Sequence, residues 1–432
     1  MKDTVKERLV KLQAASLEEP FCAYLYDLEG IQAQVQAMLS RLPERAGLFY
    51  AIKANPDLRI IEALLPYVAG FEVASAGELL KVREVSASVP VLFGGPGKTA
   101  AELATALRHN VAYIHVESLL ELRRLIQLAE GRSEPVRILL RMNLRTSTLP
   151  ETGITMGGRP TPFGLDEDLL EAALTILREE GRGRVHFSGF HFHSLSNNLN
   201  ARLHAEMIEF YLRKAAMWSE RYGLKLEIVN AGGGFGISYE GAPPFDWWAF
   251  TELIGASEAL KELPGTKLWF EPGRYLVANH GYYAAEVIDL KSSHDQYFAV
   301  LRGGTHHHRL PASWGHNQPF EVLPAERWSH PFPRPEIRQE KVTLVGELCT
   351  PKDRMHANAA VERLRVGDIV VFQQSGAYCW TISHHDFLSH PHPQFYYLTE
   401  GNDYGDRNQV NQHRPQGCSS ASNGGFAEHA AK

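Results

Sequence analysis

Apolar and β-branched residues gather into short runs separated by amphipathic stretches through the first two-thirds of the chain. Eight such runs fall at 47–52, 70–74, 89–93, 112–116, 136–142, 185–193, 225–231 and 267–271. Each is too short for a stable helix. Between them the apolar period lengthens toward 3.6, as at 99–108, 118–130, 166–180 and 203–222. Eight strands alternating with helices predict an α/β fold built on a closed (β/α)8 TIM barrel. An open doubly wound sheet is the competing arrangement.

The pattern changes after Gly273. Runs at 284–291, 297–301, 341–345 and 368–373 follow one another without long helices, with Pro and Gly frequent between them. This predicts a C-terminal, mostly antiparallel β-domain, to which 21–25 adds a strand. The expected division is a barrel at 28–280, a β-domain at 281–400 together with 1–27, and a disordered tail at 401–432. The tail is rich in Asn, Gln, Gly and Ser and cannot bury a core.

Composition narrows the options. A chain of 432 residues suits two domains, and a net charge of -6 with no dominant basic patch argues against a nucleic-acid partner. No apolar run is long enough to span a bilayer, and 1–8 is charged and helical rather than leader-like. Four cysteines, Cys22, Cys349, Cys379 and Cys418, lack the number for a disulfide scaffold and the spacing for a metal. A cytoplasmic location fits this usage.

In a (β/α)8 barrel, chemistry sits at the C-terminal strand ends. Lys53 ends the first run, in Y-A-I-K-A-N. His191 and His193 end the sixth, in G-F-H-F-H-S. Gly232, Gly233, Gly234 and Gly236 follow the seventh, and Glu271, Gly273 and Arg274 close the eighth in E-P-G-R. A desolvated Lys53 would have a lowered pKa and a free amine for imine formation. Glycines beside Arg274 suit a phosphate. A carboxylate at 271 suits a pyridine nitrogen, and His193 a ring face. These are the parts of a pyridoxal 5'-phosphate site.

With these motifs in order, the chain resembles the fold-type III pyridoxal-phosphate decarboxylases, the diaminopimelate, ornithine and arginine decarboxylases, whose barrel is alanine-racemase-like. F-E-V-A-S-A-G-E-L (71–79), H-F-H-S-L-S (191–196), G-E-L-C-T-P-K-D (346–353) and G-A-Y (376–378) carry the likeness. The resemblance implies that Lys53 holds the cofactor, His193 stacks on it, and Ser196, Gly232, Gly233, Gly234, Gly273, Arg274 and Tyr378 bind its phosphate end. Glu271 would face the ring nitrogen. Cys349 would return a proton after carbon dioxide leaves, acting in the partner's site of a head-to-tail homodimer.

The departures concern substrate. An acidic residue follows the family's cysteine and meets a distal amine, but Thr350 stands here. The family's K-F-G reads Pro162, Phe163, Gly164. Basic segments at 302–311 and 382–393 supply Arg302, His306, His307, Arg309 and His384, which with Thr350 and Asp353 are the candidate substrate residues. Their His spacing is irregular, so no metal is expected. Arg and imidazole suit a substrate rich in carboxylates. These segments resemble a siderophore-biosynthesis branch that decarboxylates citrate conjugates such as citryl-diaminopropionate. The alternatives are a diaminopimelate decarboxylase of lysine synthesis, an inactive relative acting as a binding or regulatory protein, and a racemase on the same barrel.

Overall fold

A computed structural model describes residues 1–16, 19–145 and 157–399; the expected tail at 401–432 and Cys418 lie outside the described residues. Helix Asp3–Ala15 leads into β1 (Cys22–Asp27). Then come β2 (Ala46–Ala51), β3 (Gly70–Val73), β4 (Val91–Phe93), β5 (Tyr113–Val116), β6 (Val136–Asn143), a short β7 (Leu165–Asp166), β8 (Val185–His191), β9 (Ile228–Asn230) and β10 (Lys267–Phe270).

Eight of these close a parallel barrel in the order β5-β4-β3-β2-β10-β9-β8-β6, with β6 returning to β5. The closing register sets Ile114 opposite Ile138 and Val116 opposite Leu140, which excludes the open sheet. β3, β4, β5 and β9 are buried along their whole length, as parallel strands covered on both faces must be.

The connecting helices start where the sequence supplies an oxygen for the first unpaired backbone N–H groups. Thr99 and Glu102 form a reciprocal capping box before Ala100–Arg108. Ser75, Ser118 and Asn200 cap Ala76–Val85, Leu119–Leu128 and Ala201–Tyr222. Each cap contributes about 1 kcal/mol. Gly223, at φ 63°, ends the 22-residue helix in a left-handed turn.

Alternation along the strands layers the barrel interior. Phe49, Leu92, Tyr113, Leu139, Ile228 and Trp269 form a buried apolar cluster of their own. Two residues further along the same strands stand His115, Arg141, Asn230 and Glu271. The lower layer is an apolar plug, and the layer above it is polar, buried and turned toward the C-terminal mouth.

The second sheet is built from β11 (Gly281–Ser293), β12 (Gln296–Leu301), β13 (Phe320–Leu323), β14 (Glu336–Val345), β15 (Arg354–Arg365), β16 (Ile369–Phe372) and β17 (Gln394–Leu398), with β1 inserted from the N-terminus. It is antiparallel except for β1–β17 and β12–β14. β13, β15 and β17 were not legible as apolar runs, and β11 and β14 extend beyond the runs that announced them. Among the described residues no helix is long and apolar enough to cross a membrane.

This sheet reaches back over the barrel mouth. Asn55 Nδ2 donates to the Gly376 carbonyl at 3.0 Å, Tyr378 N–H to the Ala54 carbonyl at 2.8 Å, and Tyr397 Oη–H to Asp57 at 2.7 Å. The turn bearing Lys53 is thereby fixed against the loop bearing Tyr378.

Candidate active site

Lys53 lies in a single 3-10 turn, Ile52–Ala54, just past β2. Its Nζ stands 3.3 Å from Glu72 Oε2 on β3. Burial pulls the Lys53 ammonium toward deprotonation. The Glu72 carboxylate, with Tyr378 and Glu271, more than offsets that, and the pKa rises above an ordinary lysine's. This corrects the expectation of a lowered value. The sequence neighbours of Lys53 are small and apolar, but the spatial neighbour that decides its charge comes from the adjacent strand. Glu72 is itself raised by its burial, with Lys53 pulling the other way.

Glu271 sits beyond β10 among the polar layer. Asn230 Nδ2 donates to its Oε1 at 2.7 Å. Two imidazoles, His115 and His191, stack at 4.1 Å beneath it, their Nε2 atoms 3.8 Å and 3.4 Å from its two oxygens. Both histidines are held well below the usual pKa. Burial is the main cause for each, helped by Arg141 and Lys98. They are therefore neutral at pH 7.

His193 follows β8. It too is lowered well below the usual value, by burial and then by Lys53 and Arg141. Its Nδ1 accepts from the Gly233 N–H at 3.3 Å. In the neutral ring the proton is then on Nε2.

The glycines after β9 are required by contact. A Cβ on Gly233 would lie 2.3 Å from the Glu271 carbonyl oxygen, and one on Gly234, at φ 95°, 2.3 Å from the Leu195 oxygen. Glycine lets the loop pack against those carbonyls while its backbone lines the cavity. Beside them Arg274 is buried, donates to Tyr239 Oη at 2.9 Å, and lies between the Trp314 and Tyr378 rings at 4.0 Å and 4.6 Å. It is a fixed guanidinium.

Lys53, His193, Ser196, Gly233, Gly234, Glu271, Gly273, Arg274 and Tyr378 line one cavity of about 220 Å³, with Ala51, Asn197, Phe235, Trp314 and Ile382. Gly232 stands just behind, its N–H donating to Asn230 Oδ1 and its carbonyl accepting from the Glu271 N–H. Glu72, His115, Asn230, Trp314 and Ile382 were not singled out from sequence. For His115 and Asn230 the available signal was a polar residue two places after a core residue on a barrel strand.

The candidate substrate residues lie elsewhere, and none lines this cavity. Arg302 pairs with Glu347. His306 is fully buried beside it. His307 meets Tyr283 Oη at 3.2 Å and Cys22 Sγ at 3.6 Å. Asp353 accepts from the Thr305 and Leu348 N–H groups. Cys349 is exposed and Thr350 half-buried. Arg309 is exposed, and its N–H is tied to Ser383, next to the cavity residue Ile382 and to His384.

The model of the family described as "Pyridoxal-dependent decarboxylase, pyridoxal binding domain" matches residues 28–278. The chain is 42% identical to a Staphylococcus aureus protein, 2-[(L-alanin-3-ylcarbamoyl)methyl]-2-hydroxybutanedioate decarboxylase, over 90% of this chain and 96% of that one. It is 34% identical to the L-glutamyl-[BtrI acyl-carrier protein] decarboxylase of Niallia circulans, over 87% and 88%. The crystal structure of Helicobacter pylori diaminopimelate decarboxylase with L-lysine superposes with a TM-score of 0.78 at 24% identity, over 91% and 94%.

Proposed function

We propose that this chain, which belongs to the pyridoxal-dependent decarboxylase family, releases carbon dioxide from the amino-acid end of a citrate–diaminopropionate conjugate, a cytoplasmic step in making a carboxylate siderophore. The observation that carries the reading is the 42% identity across nearly the whole of the staphylococcal enzyme, whose name describes a hydroxybutanedioate bearing an amide-linked alanine. Two features of the chain agree with it. Thr350 offers no charge to a distal amine, and Arg309 with His384 stands beside the cavity segment at Ile382.

The residues present fit pyridoxal phosphate. A glycine run whose backbone lines the cavity, a fixed guanidinium, an amine and a buried carboxylate meet in one place. When bound, pyridoxal phosphate supplies an electron sink for the pair left behind by departing carbon dioxide. Lys53 would hold the cofactor covalently, with the Glu72 carboxylate beside it. Glu271, steadied by Asn230 and the two neutral imidazoles, would keep a proton on the ring nitrogen. Gly233, Gly234, Ser196, Arg274 and Tyr378 would hold the phosphate, and His193 would cover the ring face.

Cys349 then returns a proton from its Sγ to the substrate carbon. It lies outside this chain's cavity and on an exposed loop, so we assign it to the cavity of a partner in a head-to-tail homodimer. The reaction consumes one proton and yields an amine.

Carbon dioxide release from the citryl conjugate, assayed beside meso-diaminopimelate, tests the substrate. The conjugate should be favoured about 100-fold or more in kcat/KM, because a site built for carboxylates leaves them unpaired with the wrong substrate. A preference for diaminopimelate would reassign the chain to lysine synthesis. A colourless protein that takes up no cofactor and releases nothing from either would make it a non-catalytic relative.

The cradle has its own test. Gly233→Ala should weaken cofactor affinity at least about tenfold, since backbone must shift to admit the methyl. Absorbance titration of the cofactor-free protein measures this. Unchanged affinity would remove the glycine run from the phosphate site.

A further inference from the structure

The sequence offered Arg302 and His306 as substrate contacts, but the chain supplies its own carboxylate to them. Glu347 Oε1 receives Arg302 Nη1 at 2.5 Å and the Gly303 N–H at 3.0 Å, and His306 Nε2 and His390 Nδ1 each lie 3.7 Å away. Two donors bond one oxygen, and two imidazole nitrogens stand close to it. The Arg302 and Glu347 side chains are only 12% and 11% exposed.

A second tie lies six residues on. Asp353 accepts the Thr305 N–H at 2.6 Å and the Leu348 N–H at 2.8 Å. The backbones also join, Glu347 N–H to the Gly303 carbonyl at 2.9 Å and Gly346 N–H to the Asp353 carbonyl at 3.1 Å. They approach so closely that a Cβ on Gly346 would stand 2.4 Å from Gly304 Cα. The loop 346–353 is therefore stapled at both ends to one segment, 302–305. Cys349 and Thr350 lie between the staples.

We propose that Glu347 is a positioning residue, clamped by Arg302, His306 and His390, that fixes the loop carrying Cys349 and Thr350 and so sets where the thiol is presented. The proposal rests on the reading of Cys349 as proton donor. A charge-assisted pair this well buried holds its loop far better than a surface pair. A displacement of about 1 Å at a reacting group can cost about 10²-fold. The clamp explains why basic side chains accumulate here without lining the cavity.

The test follows Cys349 alone, by alkylating the full chain with iodoacetamide and mapping the labelled peptide. Glu347→Gln and Arg302→Met should each change its alkylation rate at least about threefold. In the cofactor-loaded enzyme both should lower kcat about tenfold or more with KM nearly unchanged, and cofactor uptake should not alter. The double variant should be no worse than either single one, because one interaction is lost. Arg302→Lys should recover part of kcat.

His390→Gln, at the clamp's rim, is the milder probe should the buried variants misfold. Folded variants with unchanged alkylation and kcat would overturn the proposal. So would a raised KM at constant kcat, which would return Arg302 and His306 to substrate binding. Alkylation needs no substrate, so a shifted rate alongside no carbon dioxide release would instead remove the assigned reaction and leave the clamp standing.

Discussion

Lys53→Ala protein is expected to purify without the yellow colour of lysine-bound pyridoxal phosphate and to lose turnover by at least about 10³-fold. The same substitution should abolish the mass label that borohydride leaves on the peptide spanning Lys53. The size of the effect follows from the cavity. Among the described residues Lys53 is the one lysine lining it, and Lys98, in the loop after β4, is buried and paired with Glu121 at 2.9 Å. Lys53→Arg separates two roles. It keeps a cation against Glu72 but cannot bond to the cofactor, so it should restore the local charge and not the turnover. A label on any other lysine, or turnover within tenfold of the parent, would place the cofactor elsewhere.

That lysine also shows what the sequence could convey. The Y-A-I-K-A-N motif, the strand count and the glycine run located the barrel and its mouth, because parallel strands buried on both faces leave uninterrupted apolar runs. The charge on Lys53 was not legible, since Glu72 is nineteen positions away and becomes a neighbour only through β2–β3 pairing. β15 was hidden for a different reason. Its sequence, Arg354–Arg365, is alanine-rich and charged and has no apolar run; it becomes a strand by pairing along β14. The basic segments did not make their partners legible either. Their composition fits carboxylates, but part of that capacity is spent inside the chain, on Glu347. Composition cannot distinguish a carboxylate brought by a substrate from one supplied by a neighbouring loop.

Acid should destabilise the cofactor-free protein steeply between about pH 6.5 and pH 4, well above the range in which ordinary carboxylates protonate. The cause is the set of buried neutral imidazoles. Burial pushes His280 and His306 down to about 4, His204 and His308 to about 3 and His307 to about 2. It also holds His115, His191 and His193 well below their usual value. Each folded-state pKa lies below the unfolded one. Between the two the unfolded chain binds a proton that the folded chain does not, so stability is full above pH 6.5 and is lost as pH falls through the folded values. Each such histidine adds about 1.4 kcal/mol per pH unit to the slope. Burial also raises Asp57, Glu72, Glu78, Glu121, Glu286 and Asp353. These carboxylates act in the opposite sense, but fewer groups are involved. Urea midpoints measured from pH 7.5 to 4.5 should fall with a slope of several protons. His308→Phe gives the control, for His308 packs against Tyr283 and Phe372, its Nε2 has no partner, and the Tyr24 hydroxyl that meets its Nδ1 keeps the His307 carbonyl. That variant should lose about one proton from the slope while keeping the ring stack. A midpoint that stays flat down to pH 5, in parent and variant alike, would mean that these imidazoles gain protons without unfolding the chain.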